Sequence, residues 1–379
     1  MKVKERMMAV LHHEEPDVIP FSAYTVLVPR GDVERELRSM GLCLVDVVYG
    51  VHGINTPDVK MQTTEAVASL NANDRLLCVT KQKHVLDRVY FTPLGKLNEK
   101  YTANYATSEW PAEWVIKDVK DYEVAEYILD DTEFFPRYDD FVKAEKMMGN
   151  DGIVEAIAPK SPIQSMLYEL LGYKTFALHY HLHRKEFDQL FRLYTRKQLE
   201  MYKVIAESPA EVILSFENIT GTMTSPKIFE EYCMPFYNEA AQILHSKDKI
   251  FMVHLDGKLK CLRDLIAKTP IDVIEAFTPP PIGDMTIEEA LATWKGKVLW
   301  TNFPATEYLE AGLERVEKET ISMLNSAAPG RDFAMAVTED IGDIMSLEYM
   351  KVLTTIARQV AEHGAYPLAK TSPSPVACR

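Results

Sequence analysis

Residues 249–277 read KIFMVHLDGKLKCLRDLIAKTPIDVIEAF. Two short runs, 249–255 and 271–277, are apolar at nearly every position, the pattern of strands covered on both faces. Between them, residues 259–268 place leucines and isoleucine at helical spacing. A strand, a helix and a second such strand form a parallel unit with a right-handed crossover.

Outward from this unit the same grammar repeats. Strand-like runs stand at 18–24 (VIPFSAY), 44–50 (LVDVVYG), 152–158 (GIVEAIA) and 211–217 (EVILSFE), then at 297–302 (KVLWTN) and 332–338 (DFAMAVT). Helical patterns occupy 187–207, 226–246, 287–294, 307–325 and 346–364, and Thr286 with the acids after it suits a helix start. Eight strands alternating with helices predict an α/β fold, a (β/α)8 TIM barrel. In the long stretch after the second strand, residues 76–80 and 85–92 read as antiparallel strands with a turn at Thr92-Pro93-Leu94-Gly95. The expectation is one barrel domain over 1–370 carrying that insertion, and a disordered tail at 371–379 (TSPSPVACR).

Composition narrows the class. The 379 residues are 47% hydrophobic and 26% charged, with a formal net charge of −14. So acidic a chain is poorly suited to sequence-independent nucleic-acid binding, which depends on Lys and Arg against phosphate. Its five cysteines form no C-x-x-C, which favours a reducing compartment over a disulfide framework. No apolar run approaches the ~18 residues of a transmembrane helix, and the first sixteen residues are charged and amphipathic. A cytoplasmic protein is expected.

In such barrels the chemistry sits where strands end and loops begin. Carboxylates interrupt the apolar runs there: Glu155 in GIVEAIA, Glu217 in VILSFEN and Glu275 in DVIEAF. Burying a carboxylate is costly unless it is paired, protonated or bound to a metal. His254-Leu-Asp256-Gly257 closes the fifth strand, and alternation lets His254 and Asp256 face the same side. With Glu217 they make either a divalent-metal site, zinc being suited to such donors, or an acid–base group without metal. Asn302, Thr338-Glu339 and Asn218 end other strands; Tyr24 and Tyr49 finish the first two. Glu275, Glu155 and Glu339 are the catalytic candidates, and Tyr24, Tyr49, Asn218 and Asn302 the substrate-binding ones. The alternating His179, His181 and His183 read as loop or surface residues. Gly-rich phosphate loops and a G-x-S-x-G elbow are absent.

Residues 6–20 (RMMAVLHHEEPDVIP), 216–237 (FENITGTMTSPKIFEEYCMPFY), 254–257 (HLDG) and 271–275 (IDVIE) resemble the uroporphyrinogen decarboxylase-like superfamily. The resemblance independently implies a (β/α)8 barrel and offers two chemistries, decarboxylation of a porphyrinogen or corrinoid-dependent methyl transfer. Porphyrinogen enzymes of this type carry an Arg-rich segment after the first strand, where this chain has FSAYTVLVPRG with only Arg30. A polyanion would also meet the acidic ring, at about 4 kcal/mol per like-charge pair ~4 Å apart at an effective dielectric near 20. The methyltransferase branch fits better, being similar also around Thr92-Pro93-Leu94-Gly95 and residues 114–122 (WVIKDVKDY). Many such enzymes hold zinc through H-x-C and a later cysteine; here Asp256 replaces the first cysteine, and the region FAMAVTED supplies no later one. The resemblance therefore implies zinc on His254, Asp256 and Glu217, a corrinoid carried by a separate partner protein, and a small methoxy or methylamine substrate. A homodimer is compatible with the Met- and Tyr-rich helices. A lyase acting on a non-porphyrin substrate and a non-catalytic ligand-binding barrel are the alternatives.

Overall fold

The computed structural model describes residues 1–68, 83–103, 109–339 and 344–369. Eight parallel strands close a barrel. They are β1 (Phe21–Tyr24), β2 (Leu42–Val48), β3 (Gly152–Ala158), β4 (Val212–Ser215), β5 (Ile250–His254), β6 (Val273–Phe277), β7 (Val298–Asn302) and β8 (Phe333–Val337). Each pairs with its neighbours in chain order, and β8 returns to β1. All eight expected runs are strands. The first is shorter than its apolar stretch, because Pro20 has no N–H to give a ladder and Val18 instead bridges to Ala365.

Helices separate the later strands as expected. Thr286 does start its helix: its Oγ1 accepts from the Glu289 N–H, and Glu289 answers on the Thr286 N–H. The 226–246 pattern resolves into Pro226–Ile228, a π turn at Phe229–Cys233 and a helix at Met234–His245. Pro235 cannot donate to the preceding turn, which accounts for the wider loop just before it.

Two compact units make up the chain. The barrel unit comprises Met1–Val51, Tyr138–Ala158 and Ala206–Arg379; the second comprises His52–Arg137 and Pro159–Ile205. In the barrel unit the helix Val3–Leu11 packs Met7, Val10 and Leu11 against Ile153, Val212 and Ile250 at the starts of their strands. Burying these side chains is worth roughly 1.5–3 kcal/mol each.

The second unit contains the antiparallel insertion. Lys60–Ala68, Lys83–Thr92, Gly95–Ala103 and Glu109–Glu113 form a four-stranded sheet, and His52–Asn55 pairs with Glu133–Pro136. The Thr92–Gly95 turn is present, with Thr92 paired to Gly95. The expected strand at 76–80 and the tail at 371–379 lie outside the described residues. His179 departs from the surface reading: it is buried on the helix Gly172–Leu182, with Nδ1 3.1 Å from the Tyr122 hydroxyl. No helix among the described residues is long and apolar enough to cross a membrane.

Candidate active site

Alternation along the strands decides which residues enter the barrel lumen. Ile153 and Ile157 of β3, Ile250 and Met252 of β5, and Val273 of β6 belong to one lumenal cluster. The same faces therefore carry Glu155, His254 and Glu275, one step nearer the strand ends for the last two. Tyr24 and Phe216 pack against that cluster from β1 and the end of β4. The result is a polar layer on an apolar floor, at the end of the barrel where the strands stop.

Glu275 organises this layer. Tyr24 donates its hydroxyl hydrogen to Glu275 Oε1 at 2.9 Å, and His254 Nδ1 lies 2.5 Å from Oε2. The other imidazole nitrogen, Nε2, is at ion-pair distance from Asp256 Oδ2, 3.6 Å. The His254 and Glu275 side chains are buried, whereas Asp256 is 46% exposed and borders solvent. Burial by itself would push the His254 pKa down. The two carboxylates outweigh it, Glu275 most, and hold it up at about 10, so the ring is an imidazolium at neutral pH. Burial acts to raise the Asp256 pKa, and the contact with His254 reverses this and lowers it. The Tyr24 phenol is held well above its usual range by burial and by Glu275.

Glu155 and Glu217 are both fully buried. Glu217 Oε1 accepts from Ser215 Oγ at 2.9 Å. Among the described residues neither carboxyl oxygen of Glu155 has a hydrogen-bond partner. Burial, then the charge of Glu275, raises its pKa well above the ordinary glutamate value.

An aromatic wall faces this acid cluster. Phe216 lies 5.3 Å from the His254 ring, 6.3 Å from Tyr24 and 6.4 Å from Tyr49, centroid to centroid, and is stacked with Tyr49. Such separations are those of favourable aromatic pairs.

Two backbone features set these positions. A register shift in the β6–β7 ladder follows Ile274, and Ala276 takes φ = 57° inside β6. An L-residue rarely adopts that conformation, and here it falls between Glu275 and Phe277. At the end of β5, Gly257 lets the loop from β4 pass: a Cβ there would meet the Ile219 carbonyl oxygen at 2.5 Å.

The structure thus brings together Tyr24, Glu155, His254, Asp256 and Glu275 of the residues singled out from sequence. Tyr49 is exposed and joins through Phe216. Asn218 is exposed, with φ = 51°, and its N–H donates to the His254 carbonyl. Glu339 and Asn302 form a separate knot. Asn302 Nδ2 donates to Glu339 Oε1 and Thr278 Oγ1 at 3.3 Å each, and Thr306 Oγ1 donates to Glu339 Oε2 at 2.6 Å. Phe216 was missed, because an aromatic residue at a strand end reads as core; its parity with Val212 and Leu214, two residues apart along the same strand, was the available signal.

For a metal, His254 Nε2 and Asp256 Oδ2 are two adjacent donors, but among the described residues no group of three His, Cys, Asp or Glu side chains is disposed to hold an ion. Glu217, the third ligand expected from sequence, is not grouped with them.

A closed parallel barrel with buried acids, an imidazolium and an aromatic wall at its strand ends has the anatomy of a barrel enzyme. The profile of the uroporphyrinogen decarboxylase (URO-D) family matches residues 153–360, and the chain belongs to that family. Among solved structures, a methyltransferase from Methanosarcina mazei aligns over 94% of this chain and 98% of its own, at 13% identity and a TM-score of 0.55. At that identity the likeness is one of fold. A structure of the pneumococcal exo-β-D-N-acetylglucosaminidase StrH aligns over 95% of this chain and 87% of its own, at 11% identity and a TM-score of 0.40. The search of curated proteins returned no match.

Proposed function

We propose that this protein is a methyltransferase that moves a methyl group from a small methoxy or methylamine substrate to the cobalt of a corrinoid carried by a separate protein. The observation that carries the reading is the buried His254–Glu275 pair, an imidazolium held at the strand ends with its Nε2 side towards the mouth.

Removing a methyl group from oxygen or nitrogen needs a proton on the atom left behind. The C–O or C–N bond breaks with its electron pair on the heteroatom, which takes the Nε2 proton of His254. The reduced corrinoid supplies the nucleophile that accepts the methyl group. Glu275 fixes the ring through Nδ1, and Tyr24 fixes Glu275. Asp256, ionised at the solvent border, favours the protonated ring by its charge, and solvent returns the proton to His254. The mixed fold and family support is consistent with this chemistry: URO-D membership together with fold likeness to a methyltransferase. Only Arg30 follows β1 at the position where a polycarboxylate would need several cations, which argues against a porphyrinogen.

A buried acid such as Glu155 also favours a second reading, decarboxylation of a non-porphyrin substrate, in which the carbanion left by CO2 takes a proton. Incubating the protein with reduced cobalamin and methoxyaromatics or methylamines separates the two. A methylcobalamin spectrum, lost in His254→Ala, supports methyl transfer. Release of CO2 from a carboxylated substrate with no methylcobalamin overturns it.

A further inference from the structure

Glu155 stands at 0% exposure in the lumen with both carboxyl oxygens unpartnered among the described residues. An unsatisfied buried polar group is costly, and in a native fold it calls for an explanation such as a catalytic or binding role. Glu275, the lumenal glutamate beyond Glu155, is engaged by Tyr24 and His254, and the buried Glu217 by Ser215. In register beside Glu155 on β2 stands Val47, which has no polar side chain to offer.

We infer that Glu155 binds the substrate directly, its carboxyl O–H donating a hydrogen bond to an acceptor atom distinct from the one His254 protonates. The inference rests on the methyl-transfer reading and narrows its substrate class. Ladder register sets Glu155 level with Val212 and Ile250, four residues before His254, so the two backbones are offset by about 10 Å across the sheet and about 13 Å along it. Two donors converging from that separation fit two acceptors on one small molecule better than two lone pairs of one atom. The wall of Phe216 and Tyr49 suits a planar body between them. The class indicated is a planar methyl ether carrying a second oxygen acceptor. Burial and the nearby charge of Glu275 both raise the Glu155 pKa, the direction that O–H donation requires.

The test is calorimetric binding of 2-methoxyphenol and methoxybenzene, without corrinoid, to the wild type, Glu155→Gln and Glu155→Leu. Expected is a preference for 2-methoxyphenol of roughly tenfold or more in the wild type, kept within a few-fold in Glu155→Gln, whose amide still donates. In Glu155→Leu the preference disappears. Should Glu155→Leu fail to fold, the infrared carbonyl band of a protonated carboxyl decides: it is present in the wild type, absent in Glu155→Gln, and shifted by 2-methoxyphenol. A preference surviving in Glu155→Leu, a band that the ligand leaves unmoved, or binding of neither ring overturns the inference. Discriminating binding without any methyl transfer would instead sink the methyltransferase reading and leave the role of Glu155 standing.

Discussion

His254 Nδ1 and Glu275 Oε2 stand 2.5 Å apart on neighbouring strands, in register, with both side chains buried. Among the effects that raise the His254 pKa against burial, the charge of Glu275 is the largest. Breaking one half of a buried pair strands the other, at a cost of about 3–5 kcal/mol.

Glu275→Gln is therefore expected to change the pH dependence as well as the rate. The His254 pKa is raised, so its stabilisation is complete below the ordinary histidine value of 6.5 and is lost as pH rises through about 10. Activity that uses the imidazolium should persist up to about pH 10 and then fall. In Glu275→Gln the alkaline limb should move down towards the ordinary histidine range, with turnover reduced by about 10²–10⁴-fold. A limb that stays in place would remove His254 from the proton-donor role.

Tyr24→Phe tests the far end of the same chain of bonds. The variant loses one hydrogen bond to a charged acceptor, worth about 1.5–3 kcal/mol, and keeps the ring against Phe216. A modest fall in kcat with an unchanged KM is expected, together with a shift of the pH limb. An unshifted profile with altered KM would make Tyr24 a substrate contact only.

Phe216→Ala should act on binding. Removing the ring deletes contacts with Tyr24, Tyr49 and His254. KM is expected to rise about tenfold, for aromatic contacts worth roughly 0.5–1.5 kcal/mol beyond area, with kcat less affected. Equal losses in both constants would show that Phe216 positions His254 instead.

At Ala276 the strained φ gives an opposite pair of outcomes. Ala276→Gly should be tolerated in thermal melting, because glycine adopts positive φ freely. Ala276→Val should destabilise by about 1–3 kcal/mol and disturb Glu275. Equal melting temperatures for the two variants would show the bulge to be relaxed.

Metal analysis distinguishes proton donation from Lewis-acid activation. The expected outcome is methyl transfer that survives chelation, since two adjacent donors make a weak site. Stoichiometric zinc in purified protein, lost in His254→Ala, would replace the proton with a metal ion at the leaving atom.

The primary structure by itself determined the barrel. Continuous apolar runs leave a strand no exposed face, and eight of them alternating with helices close only one way. It also marked Glu155, Glu217, His254 and Glu275, because a titratable side chain in such a run is conspicuous for its desolvation cost. What it left open was partnership. Tyr24 meets Glu275 across 251 positions of chain. The register of parallel strands and a bulge beside Ala276 decide that meeting, and no local pattern encodes either. For the same reason Glu339, equally acidic and equally at a strand end, is tied to Asn302 and Thr306, while Phe216, which looked like core, faces the imidazole. Local pattern sets which way a side chain points; only closure of the barrel sets what it points at.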